Sequence, residues 1–211
     1  MRRSLALAPL AALALCGCAA SRDVVAPPTA ERPNDSWRVL ATDDDRSRLR
    51  RWREAWVDAL ARARAAGHGD EIAREGALLE PDAALAGARL PPGDYRCRTI
   101  KLGARAAGGA DYSVNPTRFC RVRANGTRLR FTRIDGPQRP IGVLFPDNGR
   151  RLVFLGTLQL GDEALALRYS RDTERDMAGL VERVGEDRWR LVLPYPHFES
   201  LLDVIELVPN R

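Results

Sequence analysis

The sequence predicts a mainly β domain of the α+β class, in which an amphipathic helix precedes a series of short antiparallel strands. Between residues 43 and 67 apolar residues recur at helical spacing, and from Gly93 onward they alternate with polar residues at the strand period. Turn sequences separate many of the alternating runs. An export signal at the N-terminus adds the expectation that this domain works outside the cytoplasm.

The first seventeen residues are similar to a bacterial lipoprotein signal peptide. Arg2 and Arg3 form a charged start, and an apolar run from Leu5 to Leu15 follows. That run is shorter than the ~20 residues that a permanent membrane-spanning helix needs. Export through the Sec route is favoured over the twin-arginine route, because the residues after the arginine pair match the latter weakly.

The stretch LCGCA at residues 15–19 resembles a lipobox, with Cys18 as the lipidated residue. Cys18 fits better than Cys16, because the small Gly17 precedes it where Cys16 has a leucine. The acyl chains on its thiol would hold the protein at a membrane. Ala19 after the cysteine predicts the outer membrane, with the protein facing the periplasm. The alternative is an ordinary secretory signal that is cleaved without lipidation.

Two cysteines then remain, Cys97 and Cys120, and we predict that they form a disulfide in an oxidising compartment. A free thiol pair and a redox site are the alternatives, but neither cysteine lies in a C-x-x-C motif. In the chain-entropy model, closing this loop stabilises the fold by about 3 kcal/mol.

Four segments follow from these features. Residues 1–17 form the signal peptide, and 18–36, with three prolines between residues 21 and 35, form a flexible tether. Residues 37–92 form a helical segment and connector, and 93–211 form the β domain. We expect 37–211 to act as one globular unit.

The predicted main helix begins at Asp43, Asp44 and Asp45, which offer an N-cap and suit the helix dipole, and ends near Gly67. One face carries an apolar stripe that we expect to pack on the β domain: Leu49, Trp52, Trp56 and Leu60. The other face carries the candidate outer residues Arg46, Arg50, Arg53 and Arg64. A second, short helix is predicted over residues 70–75.

Alternation and turns predict about eight or nine strands, at residues 94–102, 118–123, 128–134, 141–145, 152–160, 164–169, 177–184, 189–193 and 201–208. An antiparallel meander of this kind avoids exposed edges most simply by closing. We therefore favour a lipocalin-like β-barrel, with a sandwich as the alternative.

Five stretches resemble the domain of unknown function 4893 family: YRCRTIKLG (95–103), GPQRPIGVLFPD (136–147), LVFLGTLQLGDE (152–163), RDMAGLVERVGEDRWRLVLPYP (175–196) and LLDVIELVP (201–209). The resemblance extends from about Trp37 to the end of the chain. It implies a signal-bearing protein of Gram-negative bacteria, and it brings no catalytic residues to carry over.

Charge is segregated along the chain. The formal net charge is +6, or +4 once Arg2 and Arg3 leave with the signal, and Lys101 is the only lysine among 34 basic residues. So strong a bias to arginine reflects codon usage, so basicity does not predict nucleic-acid binding. Residues 96–133 nevertheless carry ten basic groups against one acid. If Cys97 and Cys120 face inward, a candidate anion-binding face would form outside, from Arg96, Arg98, Arg121 and Arg123. The alternative is a solvated face.

No arrangement of residues forms a recognised catalytic or metal-binding signature. There are two histidines, His68 and His197, so we predict no metal site and no cofactor. A serine hydrolase would have to combine His197 with Asp203 and one of Ser113, Ser170 or Ser200, without a G-x-S-x-G elbow. Glu199 and Asp203 are the weaker candidate for a carboxylate pair.

Two dipeptides, Arg175-Asp176 and Trp189-Arg190, could line a pocket at one barrel end or form an ion pair and an aromatic plug. The sequence leaves this choice open.

The expected function is that of a non-enzymatic binding or structural lipoprotein, with the question of enzymatic activity open. The expected partners are the membrane, through the N-terminal lipid, and either an anionic envelope component or a protein. The alternatives are a cell-wall-directed hydrolase and an inhibitor of periplasmic enzymes.

Overall fold

Nine antiparallel strands follow four short helices in the computed structural model, which describes residues 36–211. The helices are α1 (Trp37–Leu40), α2 (Asp43–Arg50), α3 (Trp52–Ala65) and α4 (Gly69–Glu75), followed by a 3₁₀ turn at Gly76–Leu78. The strands are β1 (Gly93–Ala104), β2 (Tyr112–Val114), β3 (Arg118–Asn125), β4 (Arg128–Arg133), β5 (Gln138–Asn148), β6 (Arg151–Leu160), β7 (Asp176–Gly185), β8 (Arg188–Pro194) and β9 (Ser200–Pro209).

Eight of these strands close into a barrel. From β3 to β9 each strand pairs with the next, and β1 pairs with both β3 and β9. The closing ladder is long, from Tyr95 opposite Pro209 to Ala104 opposite Ser200. The short β2 pairs with β1 alone, beyond the point where β3 leaves it. The predicted closed barrel is confirmed, and closure removes the exposed edges of an open sheet.

Alternation along the strands fills one end of the barrel with apolar side chains. Phe131 and Phe154 meet edge to face inside it, as do Tyr95 and Trp189. Leu90, from the segment before β1, is buried against the same cluster. The neighbouring backbone is tied in as well, because the Tyr95 hydroxyl donates to the carbonyl of Pro91. This end, called the closed end below, is a packed core.

The predicted disulfide is present and joins two barrel strands. Cys97 on β1 and Cys120 on β3 are buried, with their Cα atoms 5.9 Å apart. Their burial confirms the inward phase on which the outward orientation of the neighbouring arginines depends.

A pair of glycines makes room for the ring of Phe154. Gly142 on β5 lies directly opposite Gly156 on β6. A Cβ atom at either position would approach the Phe154 ring to about 2.6 Å or less and would also meet backbone atoms. Only glycine therefore lets this ring lie flat against the inner wall.

The helices cover about half of the outer wall. Trp56, Leu60 and Leu49 are buried against outward-facing residues of β1 and β6–β9, which confirms the predicted stripe. Two details differ from expectation. The helix is interrupted at Arg51, and Thr42 is the N-cap of α2, accepting a hydrogen bond from the Asp45 amide. The three aspartates instead occupy the first turn, where the helix dipole favours them.

One predicted strand was wrong, and one strand was missed. Residues 164–169 form a loop between β6 and β7, although four consecutive apolar residues begin this segment. Leu165 is 84% exposed, because β6 pairs directly with β7 and leaves no partner for another strand. The three-residue β2 was too short to give a period.

The signal peptide, Cys18 and most of the tether lie outside the described residues and stay predictions. None of the helices within residues 36–211 is long and apolar enough to span a membrane.

Candidate functional site

Polar and charged side chains occupy the barrel interior at the end opposite the closed end. Thr99 and Lys101 continue the inward phase of β1, Arg133 ends β4, and Asp203 lies near the start of β9. All four are at most 9% exposed. They line a cavity together with the apolar Leu158 and Ile205 and other residues. We call this region the polar end.

The ends of two neighbouring strands form part of the cavity wall. The β7–β8 ladder begins only at Leu180 opposite Val192, although β7 follows β6 up to Asp176 and β8 follows β9 up to Pro194. Side chains of the segments beyond this ladder line the cavity, including Met177 and Leu193. The free volume is about 30 Å³, room for about two or three water molecules at roughly 10–15 Å³ each. The cavity thus suits a small chemical group.

Lys101 is fully neutralised by carboxylates. Its Nζ lies 3.0 Å from Asp203 Oδ2 and 3.1 Å from Glu199 Oε2. Ser200 Oγ donates to the other oxygen of Asp203. Burial alone would lower the pKa of Lys101, but the two carboxylates outweigh it and raise that pKa, so the amine stays protonated.

Arg133 is the second cation of this group, so the two carboxylates around Lys101 match two cations in formal charge. Its Nη1 donates to Thr99 Oγ1 over 3.0 Å, while Nε is buried without an acceptor in the described part of the chain. No carboxylate of residues 36–211 forms an ion pair with it. Burial lowers the pKa of this guanidinium, which is the expected effect when a cation leaves water without a partner.

On the helix side, a hydrogen-bonded cluster borders the cavity. Arg48 of α2 is ion-paired with Asp45, and its Nη2 donates to the Asp176 carbonyl over 3.0 Å. Tyr169 donates to Asp45 and accepts from the Thr42 amide. The loop between β6 and β7 is thereby tied to α2. Burial raises the pKa of the Asp176 carboxyl, whose Oδ2 has no hydrogen-bond partner in the described chain.

His197 lies in the loop between β8 and β9 and also lines the cavity. Its Nε2 has no hydrogen-bond partner among residues 36–211 and is 3.9 Å from Asp44 Oδ2. Burial, followed by the charge of Arg48, lowers its pKa. Ser200, the serine nearest in sequence, donates to Asp203 instead. No relay from serine to histidine to carboxylate is formed by these residues.

Glu199 and Asp203 lie close together, but each is bound to the same cation, Lys101.

The two dipeptides that could have lined a pocket, Arg175-Asp176 and Trp189-Arg190, have different positions. Arg175 and Asp176 line the cavity, whereas Trp189 packs at the closed end and Arg190 is buried on the outer wall against Glu182.

The four arginines of the predicted anion-binding face differ in their ion pairing. Arg98 is bridged by Glu75 and Glu206, each at 2.5 Å. Arg121 and Arg123 share Asp94, at 2.7 and 3.2 Å. Arg96 is exposed and has no ion-pair partner among residues 36–211. Arg130 lies directly opposite Arg123 and extends the positive surface across β4. Whether this face binds anions stays a prediction.

Sequence reasoning missed Arg133 and Lys101 as members of one site. Both were counted among the basic residues of 96–133, but their inward phase was not used. Arg133 follows Phe131 at the strand period, and Lys101 follows Cys97 and Thr99. The signal was therefore available in the alternation. Their meeting at one end depended on the register of the barrel.

Within residues 36–211, no group of three or more histidine, cysteine, aspartate or glutamate side chains is placed to hold a metal ion.

Comparison with known proteins gives one result for the whole domain. Neither a curated protein nor a solved structure matches the chain. The family described as a domain of unknown function, DUF4893, matches residues 37–207, which cover the helices and nearly the whole barrel. The chain therefore belongs to the DUF4893 family.

Proposed function

We propose that this protein is a lipid-anchored envelope protein whose barrel binds a small ligand at its polar end. The observation that carries the proposal is a cavity with two buried polar atoms in its wall, Nε of Arg133 and Oδ2 of Asp176, that have no hydrogen-bond partner in the described chain, since such atoms cost free energy that a ligand could recover. The packed closed end excludes a deep ligand.

The predicted lipid on Cys18 would hold the protein at the membrane. Trp37, the first residue of α1, donates from Nε1 to Asp147 Oδ1 over 3.0 Å. Asp147 lies near the end of β5 that belongs to the closed end. The described chain therefore starts at the closed end.

The experiment is a thermal-shift screen of the mature chain carrying Cys18→Ser, with short carboxylates, amides, sugars and inorganic phosphate as probes. A ligand at a hundredfold excess over its Kd should raise Tm by about 5 °C or more. Met177→Trp should fill the cavity and abolish the rise in Tm. Val57→Trp, on the exposed outer side of α3, is the matched control and should keep it. A panel without hits, or hits that ignore Met177→Trp, would contradict cavity binding.

The anion-binding face and the two alternative functions stay predictions. A cell-wall hydrolase would degrade peptidoglycan or a model ester, and an inhibitor would form a complex with a periplasmic enzyme. Neither has a specific structural observation in its favour comparable to the cavity.

A further inference from the structure

The outer wall of β3 and β4 is open to solvent, whereas the helices pack mainly on β1 and β7–β9. On β3, Cys120 and Val122 face the barrel interior, so Arg121 and Arg123 face outward, and both are exposed. Arg130 of β4 is exposed on the same side of the sheet. This part of the barrel surface is therefore accessible to a partner.

Arginines face each other directly on this wall. Arg123 lies opposite Arg130 in the β3–β4 ladder. Like charges at directly opposite positions of two antiparallel strands destabilise the pairing. Arg121 and Arg123 share the carboxylate of Asp94, and Arg130 has no ion-pair partner among residues 36–211. An external anion would relieve this repulsion.

The same three arginines line a shallow depression together with Arg139 of β5. Arg139 is held in place by the turns beside it, because its two Nη atoms donate to backbone carbonyls at distances of 2.8–3.2 Å. No aspartate or glutamate of residues 36–211 lines this depression, whose other lining side chains include Thr132, Ile134 and Gln159.

The carboxylates around the depression do not cancel its charge. Asp94 is the one carboxylate of the described chain within ion-pair distance of any of its four outward arginines, so one negative charge faces four positive charges. The next acidic groups have cations of their own. Asp135 is 3.6 Å from Arg118, and Glu163 is paired with Arg175.

Two exposed apolar side chains lie beside these arginines. Phe119 on β3 is 50% exposed, and Ile134 after β4 is 42% exposed. They are neighbours, because the Ile134 amide donates to the Phe119 carbonyl over 2.8 Å, and Ile134 also lines the depression. A soluble anion would need the arginines alone. Basic side chains next to exposed aromatic and aliphatic ones are typical of a surface that contacts an anionic membrane.

We propose that the outer wall of β3 and β4 is a docking surface for an anionic lipid bilayer. Arg121, Arg123 and Arg130 bind the lipid phosphates, whose oxygens match the paired N–H groups of a guanidinium. Phe119 and Ile134 enter the interface between the headgroups and the acyl chains. The inference goes beyond the proposed function, and it depends neither on the cavity nor on the lipid predicted at Cys18.

The test is co-sedimentation of the mature Cys18→Ser chain with vesicles. One set contains phosphatidylglycerol and phosphatidylcholine, and the other contains phosphatidylcholine alone. At about 0.1 M salt we expect at least tenfold tighter binding to the anionic vesicles, and release at about 1 M salt, where the Debye length falls from about 10 Å to about 3 Å. Equal binding to both sets, or to neither, would overturn the proposal.

A double variant tests the arginines themselves. Arg123→Gln combined with Arg130→Gln should bind the anionic vesicles at least tenfold more weakly than the parent. The matched control combines Arg50→Gln with Arg64→Gln, which removes the same charge from exposed positions on α2 and α3 and should bind like the parent. Equal weakening of the two double variants would reduce the effect to net charge and overturn the docking surface.

Further readouts test the apolar contact and the fold. Phe119→Ser should weaken vesicle binding severalfold, and unchanged binding would overturn the apolar part of the proposal. Without vesicles, the Arg123→Gln and Arg130→Gln double variant should unfold at a temperature equal to or above that of the parent, because it removes the repulsion between opposite arginines. A large loss of Tm would make these arginines structural and overturn their role in docking.

Two more outcomes separate this proposal from other binding. Excess inorganic phosphate at constant ionic strength should leave the chain on the vesicles, and displacement would indicate a site for soluble phosphate instead of a bilayer. Met177→Trp, which fills the cavity, should not change vesicle binding. Loss of vesicle binding in Met177→Trp would overturn the independence of the two sites, whereas failure of every chain to bind vesicles would reject docking and leave the cavity proposal standing.

Discussion

His197 shows how its surroundings set the state of a titratable side chain at the residue scale. It was a candidate general base in the sequence, yet its Nε2 has no hydrogen-bond partner among residues 36–211. Burial and the nearby Arg48 both disfavour the protonated ring, so the pKa of His197 is lowered. In the unfolded chain the ring has its ordinary pKa of about 6.5.

The linkage gives a pH prediction. Because the folded state binds the proton less tightly than the unfolded state, the stability that His197 confers is lost as pH falls through its ordinary pKa toward the lower folded value. His197→Gln should therefore lose less free energy of unfolding than the parent between pH 7.5 and pH 5.5. Urea unfolding at both pH values measures this, with His68→Gln as the control for removing a histidine. An identical pH dependence in the parent and His197→Gln would contradict it.

At the scale of elements, Arg190 joins the barrel wall to the segment that follows α4. It is fully buried, binds Glu182 through Nε and Nη2, and lies 4.4 Å from the centre of the Trp56 ring. Its remaining donors bind four backbone carbonyls of the 76–92 connector: Ala77, Leu78, Glu80 and Pro81. An irregular segment that lies over a barrel needs such partners, since its carbonyls have no ladder to join.

Replacing Arg190 should lower the free energy of unfolding. In Arg190→Met, Glu182 keeps Arg151 at 2.6 Å, but the connector carbonyls lose their partner. We expect a loss of about 3–5 kcal/mol in the free energy of unfolding, typical of breaking a buried ionic network. Arg188→Met is the matched control on the same strand, because Arg188 is partly exposed and its pair with Glu206 should contribute about 1 kcal/mol or less. Comparable urea midpoints for the two variants would show that the hydrogen bonds from Arg190 to the connector do not stabilise the fold.

At the scale of the whole molecule, the barrel has two unlike ends. The closed end contains the aromatic core and the start of the described chain, and the polar end contains the cavity. The predicted lipid on Cys18 is a separate expectation about the whole protein.

Cysteine variants test the anchor in Gram-negative cells. The parent should sediment with the outer membrane and be released by detergent, and its mature N-terminus should carry the mass of an acylated Cys18. Cys18→Ser should remove the protein from the membrane fraction. Cys16→Ser should change nothing, because that residue is cleaved off with the signal. A Cys18→Ser protein that still sediments with the outer membrane would place the attachment elsewhere.

Much of the fold could be predicted from local patterns. Alternation located eight of the nine strands, the spacing of Leu49, Trp56 and Leu60 located the helix face, and the cysteine count gave the disulfide. These features depend on neighbours within a few residues, where the backbone period dictates which face a side chain joins. The prediction failed at residues 164–169, whose apolar sequence suggested a strand but which have no strand to pair with.

The sequence alone predicted the β class, the helix, the disulfide and a location at the cell envelope, because each of these follows from residue types and their spacing along the chain. Only the tertiary structure decided which charges are paired. Arg98 and Arg133 look alike in the sequence, yet Glu206 of β9 and Glu75 of α4 pair with Arg98, while no carboxylate of the described chain pairs with Arg133. The partners of a charged side chain come from elements distant in the sequence, so the tertiary arrangement, and not the local period, decides which charges are paired.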